Sequence, residues 1–327
     1  MCPRIMDYPS SLSINLFKCD PSAYSVTKKI DDKVHQGEYT TSKLIVAIKM
    51  YPLDELNDTE ISNIKEGVRL TRLLRHENVL PYLACFLNDH LLWIVTPYCA
   101  HGSSSELSKP AGLSEKAISF IVRDVLNALE YIHGQGIIHR AVRGQHILIY
   151  GPQGKCLLTG FQYATSVVDN GRYLPFIHQY PSNAKPNLNW LSPELLEQNL
   201  LGYNSKSDIY SLGVTCCELA NGCVPFANLQ PTEMLLDKLT GNFPKPIDST
   251  CNELKEMFIG DLSPEEREKY DTYRGRRFSE HFHSFTEDMC LLSDPHKRPS
   301  ASQLLNHKFI KQLKKLDAAT NLLSVLR

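Results

Sequence analysis

No run of apolar residues in this 327-residue chain approaches the ~20 positions that a membrane-spanning helix needs. Neither sign of charge dominates: 35 basic against 36 acidic side chains leave a formal charge of −1. That balance gives no support for nucleic acid or an anionic membrane as the main partner. Ten cysteines are present but none forms a CxxC pair. Several, such as Cys216 and Cys217 in SLGVTCCELA, sit inside apolar runs and read as reduced, buried thiols. The HFH triplet at 281–283 has no cysteine or carboxylate at usable spacing, so it reads as surface or packing histidine and no metal is expected. The first residues, MCPRIMDYPSSLSINLF, lack the basic start and apolar core of a secretory leader. The expected location is cytoplasmic, with the nucleus also open. Repeats and low-complexity tracts are absent.

What is there is ordinary globular composition, 42% hydrophobic and 22% charged, in a chain long enough for about two lobes of ~150 residues. LIVAIKM (44–50) and LLWIVTP (91–97) read as strands, rich in β-branched residues. Between them, residues 59–75 carry a loosely helical pattern through Ile61, Ile64, Val68, Leu70 and Leu74. YCAHGSSS is small and polar and reads as a linker. Ser114 then reads as an N-cap, followed at helical spacing by Ile118, Ile121, Val122, Val125, Leu126, Leu129 and Ile132, with Gly134 ending the run. ILIY-GPQG-KCLLT (147–159) reads as a hairpin. Helices dominate from 205 onward, residues 247–280 look like a polar surface excursion, and SASQLLNHKFIKQLKK (300–315) reads as a closing amphipathic helix.

The octet HRAVRGQH (139–146) fits the frame of the protein-kinase catalytic-loop signature H-R-D-L-x-x-x-N but not its chemistry. Ala141 stands at the position of the base and His146 at that of the final metal-binding Asn. Other segments fit in the right order. VAIK (46–49) matches the strand motif whose lysine, here Lys49, holds ATP phosphates. HENVLPY (76–82) resembles the H-x-N segment after the first-lobe helix, and WLSPELLEQ (190–198) the A-P-E segment. KSDIYSLGVTCCELANGCVPF (206–226) supplies Asp208, which is expected to brace the catalytic loop. DPHKRPSASQLL (294–305) supplies Arg298, expected to pair with Glu194. One match would be chance; five in order across about 260 residues are not.

Phosphoryl transfer asks for a Gly-rich lid, a Lys–Glu pair, two magnesium ligands and a base. The lid region, YSVTKKIDDKVHQGEY, holds only Gly37. Counting nine back from His76 puts Gly67 where the helix glutamate belongs, and Glu66 is about 100° round the helix. The magnesium ligand of the D-F-G motif falls at Gly160 in TGFQ. The architectural residues stand and the chemical ones are gone, so no catalytic residue is assigned.

These strings resemble the sterile-twenty-related adaptor (STRAD) pseudokinases, which carry H-R-S-V-K-x-x-H-I-L-I at the catalytic loop and Gly-Leu-Arg in place of D-F-G. The resemblance covers most of residues 40–315. It implies an α+β, bilobal protein-kinase-like fold with a small β-rich N-lobe and a larger, mainly helical C-lobe. The divisions expected are an N-terminal extension (1–20), N-lobe (21–98), C-lobe (99–315, with the excursion at 247–280) and a tail (316–327). It further implies an adaptor that binds and activates a serine/threonine kinase of the liver-kinase-B type without phosphorylating it, together with a helical-repeat scaffold of the Mo-twenty-five type. Lys49, Arg143 and His146 are then candidate contacts to ATP held without magnesium. Gln162 replaces the arginine of Gly-Leu-Arg, and the family's C-terminal Trp-Glu-Phe, which docks the scaffold, does not occur at NLLSVLR. Two rival readings stay open: a residual kinase with an unusual metal arrangement, supported by Lys49, and a nucleotide-binding module that activates nothing.

Overall fold

The computed structural model describes residues 17–326 apart from 170, 199, 252–253, 255–262 and 318; most of the expected N-terminal extension lies outside the described residues. The chain opens with β1 (Tyr24–Lys29), β2 (Val34–Tyr39) and β3 (Leu44–Pro52), followed by α1 (Asp58–Leu73), β4 (Ala84–Asn88) and β5 (Leu91–Pro97). The strands form one antiparallel sheet in the order β1-β2-β3-β5-β4. Side chains alternate across the pleat, so Val46 and Ile48 are fully buried with Phe17, Tyr39 and Trp93, while Lys49 points to the other face. Helix α1 starts at a capping box in which Asn57 and Glu60 exchange side-chain and backbone hydrogen bonds.

The second lobe begins with α2 (Ser104–Ser108) and α3 (Glu115–Gly134), the latter capped by Ser114 as the sequence suggests. All seven apolar residues predicted for its inner face are 1% exposed or less. Next come β6 (Ile137–Ile138), the hairpin β7 (Ile147–Tyr150) and β8 (Lys155–Leu158), then β9 (Thr165–Ser166), which pairs with β6. A small ribbon, β10 (Val168–Asp169) with β11 (Arg172–Tyr173), precedes α4 (Pro193–Leu196). Helix α5 (Lys206–Asn221) is buried along nearly its whole length, and α6 (Pro231–Leu239) and α7 (Pro264–Gly275) follow.

The HENVLPY segment joins the lobes. Asn78 Nδ2 donates to Cys156 O (3.0 Å), Leu158 N to Asn78 O (2.8 Å) and Leu80 N to Leu158 O (2.9 Å). An asparagine serves here because one side chain both fills and bonds the β8 backbone.

Two expectations need correction, and the tail adds an observation. Residues 300–315 are not one helix: Ala301–Leu304 ends, His307 caps a new start by accepting from Phe309 N, and Lys308–Lys311 runs into a 3-10 turn. The capping histidine competes with helix continuation. The 247–280 segment is also more than a surface excursion in its described part, since Leu254, Tyr270 and Tyr273 are buried together and Arg276 donates to Ile247 O and Ala111 O. The tail packs as well: Leu322, in the short helix Leu322–Leu326, is 1% exposed in the main core.

Candidate functional site

The loop 139–146 is held from below. Asp208, fully buried near the start of α5, accepts from His139 N and Arg140 N, both at 2.8 Å, and lies 2.8 Å from His133 Nε2. Burial opposes its charge, but the hydrogen bond from His133 and the cluster of donors hold its carboxyl below the usual range. The bracing role assigned to Asp208 from sequence is what the geometry gives. His139, fully buried behind it, reaches Thr159 O with Nε2 (2.9 Å), and burial pushes its imidazole down to about 4 despite the Asp208 charge.

The chemical positions are packed together. Gly160 takes φ +95°, and a Cβ built on it would lie 2.9 Å from His146 Cγ and Nδ1. The His146 ring thus occupies the space into which a side chain at 160 would project. Its Nδ1 donates to Ala141 O at 2.7 Å, and the ring leans on Tyr163 at 5.5 Å between centroids. Burial, then the charge of Arg143, hold His146 well below its ordinary value, so the ring is neutral. With the proton on Nδ1, Nε2 carries a lone pair and is an acceptor, the wrong polarity to meet a phosphate oxygen. Ala141 is buried, at 1% exposure, and carries no acid or base.

Helix α1 closes the other side. Gly67 is buried against the turn that follows Gly160, where a Cβ would come within 2.7 Å of Gln162 N and Cα. Glu66 is turned away, forked onto Arg69 at 2.6 and 2.7 Å. Lys49 has no carboxylate partner among the described residues; its ammonium stands 4.9 Å from the Tyr51 ring centre. Together with Lys33, Gln162, Tyr163 and Asn183 it lines a cleft of about 920 Å³. The third candidate nucleotide contact, Arg143, is engaged within the chain: it donates to Pro186 O (2.6 Å) and Gln145 Oε1 (2.7 Å) and stacks on Trp190.

Hydrogen bonds to the rest of the lobe hold the described part of the segment running from the turn to α4. Arg140 donates to Tyr163 O (2.6 Å), Ala164 O (3.1 Å) and Tyr203 Oη (3.1 Å), and Tyr203 donates on to Gln179 O (2.9 Å). Glu218 accepts from Gly144 N (2.9 Å) and Trp190 Nε1 (2.8 Å), tying loop and segment to α5. Lys238, 1% exposed, donates to Asn189 O and Leu191 O at 2.8 and 2.6 Å. At the end of the segment Glu194 and Arg298 meet as the sequence predicts. Burial works against the Glu194 charge, and the hydrogen bonds from Arg298 overcome it.

Sequence reasoning gave no role to Arg140, Tyr203, Glu218 or Lys238. Glu218 left a signal, a lone carboxylate in the apolar run GVTCCELANG, because a charge buried in a core must be hydrogen-bonded. Lys238 left none, since lysine is common on amphipathic helices.

Residues 32–310 match the family model for the protein kinase domain, and the chain belongs to that family. The relatives are more specific. The chain is 38% identical over 302 residues to human STE20-related kinase adapter protein alpha, covering 86% of this chain and 70% of that one. It is 37% identical over 302 residues to the mouse protein of the same name, with the same coverage. With human STE20-related kinase adapter protein beta it shares 35% over 314 residues, 90% of this chain and 74% of the relative. Within the protein kinases, the chain is a member of the STE20-related kinase adapter proteins.

Proposed function

We propose that this protein is a catalytically inactive adaptor that binds a serine/threonine kinase of the liver-kinase-B type and activates it allosterically, in a complex completed by a helical-repeat scaffold of the Mo-twenty-five type. One observation carries the reading: the network that holds a kinase shape is complete, through Asp208, Glu194–Arg298 and Arg140, while the positions of base and metal ligands hold Ala141, His146 and Gly160. A partner that populates its active form weakly is shifted toward it by any protein that binds that form more tightly. Such an activator needs a rigid surface and no working centre.

Magnesium does not fit here. It takes oxygen ligands, and the two ligand positions offer a glycine and a buried neutral imidazole. Lys49 is the residue that would hold a phosphate of a metal-free nucleotide in the cleft. The test is reconstitution with the partner kinase and scaffold. Stimulated phosphorylation of a partner substrate without phosphorylation by this chain supports the proposal; an unchanged partner rate in a formed complex overturns it.

A further inference from the structure

Four positions that lost their chemistry sit in one stack. Gly67 on α1 touches the backbone of Gln162; Gln162 belongs to the turn begun by Gly160; Gly160 faces the His146 ring; and His146 rests on Ala141 O. At both glycines the contact is closer than an added methyl group permits. A Cβ at 67 would meet backbone atoms at 2.7 Å, which cannot step aside, and one at 160 would meet the near side of a ring at 2.9 Å. That ring is buried, hydrogen-bonded through Nδ1 and flanked by Tyr163 and His139, so it has no free rotamer to retreat into.

We propose that Gly67, Gly160 and His146 form one packed unit that fills the metal position of the cleft, so that the protein rejects a divalent cation–nucleotide complex by volume as well as for want of ligands. This holds whether or not the chain activates a partner kinase. The left-handed backbone at Gly160 strains any side chain placed there, though aspartate and asparagine less than most, so it adds to the obstacle without being the whole of it. The ring supplies the rest. Restoring the acid alone therefore fails, and restoring it together with a smaller residue at 146 succeeds.

The experiment uses the full chain and magnesium–ADP as probe, read by thermal unfolding and by titration calorimetry. G160A lowers the unfolding midpoint by several degrees in the native background and by less in the H146A background, where only the backbone strain remains. G160D alone gains no magnesium-dependent shift, whereas H146N/G160D gains one. Equal costs of G160A in both backgrounds overturn the packed unit. A G160D protein that keeps the native midpoint and binds magnesium–ADP overturns it too. A folded H146N/G160D protein with no magnesium-dependent shift removes volume as the cause of exclusion.

Discussion

Arg298 and Glu194 meet fork to fork across 104 positions of sequence, Nη1 to Oε1 at 2.6 Å and Nη2 to Oε2 at 2.9 Å, in a site where Arg298 is 1% exposed. The pair is not isolated. Arg298 also donates to Leu292 O, Ser293 O and Lys206 O, and Glu194 accepts from Ser207 Oγ at 2.8 Å. All but one lone pair or proton of interest is spoken for, which is the condition under which a buried pair does not destabilise its own fold.

Arg298→Ala leaves a buried carboxylate unpaired and three carbonyls without their donor. The expected loss is about 3–5 kcal/mol of folding stability, read as a lower urea midpoint. Arg298→Lys recovers only part of it, because an ammonium cannot reproduce the two parallel hydrogen bonds. A midpoint unchanged in Arg298→Ala would show that the pair contributes nothing net.

Stability falls in mild acid. A histidine in an unfolded chain titrates near 6.5, whereas burial pushes His139 down to about 4 and His146 also well down. The unfolded chain therefore takes up protons first. Their contribution is whole above about pH 6.5 and is lost as pH falls toward 4. Glu194 works in the same direction but only below its ordinary value of 4.5, so it adds nothing above pH 5. Unfolding free energies from urea titrations at pH 7.5 and pH 5 are expected to differ by about 1–3 kcal/mol, and His139→Gln narrows the gap. A flat profile between those pH values rules the two rings out as the cause.

Much of this was legible in the sequence, and the limits have physical reasons. Asp208, Glu194 and Arg298 sit in fixed-spacing motifs, so order and distance along the chain identify them and their partners. Helix α3 announces itself by a 3.6-residue apolar period. Gly67 and Gly160 could be named only as missing acids, because a glycine has no side chain whose neighbours can be inferred. The closeness of two backbones, and of a ring to a backbone, appears only in three dimensions. The break at His307 was hidden for a related reason: the apolar pattern continues through it, and the cap that stops the helix is one hydrogen bond.

The protein is expected to incorporate no phosphate with magnesium and ATP, into itself or a generic substrate. Ala141→Asp does not change this, since the base is one absence among several and its loss alone accounts for roughly 10²–10⁴ in rate. Incorporation that persists in Lys49→Ala marks a contaminating kinase; incorporation abolished by Lys49→Ala contradicts the expectation.

ATP, where it stabilises the protein, is expected to do so without metal. The thermal shift it produces should be the same with magnesium and with EDTA, and Lys49→Ala should reduce it, because Lys49 lines the cleft and has no carboxylate partner among the described residues. A shift that requires magnesium runs against both this expectation and the packed unit at His146.

If activation of a partner depends on presenting an ordered kinase shape, residues that hold the shape outrank residues at the vacant chemical positions. Asp208→Ala removes the acceptor for two backbone N–H groups of the loop and for His133. Arg140→Ala frees Tyr163 O, Ala164 O and the Tyr203 hydroxyl, and with them the start of the segment that leads to Glu194. Both variants, and Arg298→Ala, are expected to lower stimulation of the partner kinase at least tenfold. Ala141→Asp is expected to leave it within about twofold, as a vacant position has no part in a shape; tenfold corresponds to about 1.4 kcal/mol of differential binding. The measurement is partner activity against adaptor concentration, with circular dichroism confirming that each variant is folded. Arg140→Ala is the decisive variant, because it loosens the segment without leaving a buried charge. If it folds and still stimulates fully, the partner reads some other surface, and the preserved segment is kept for stability alone.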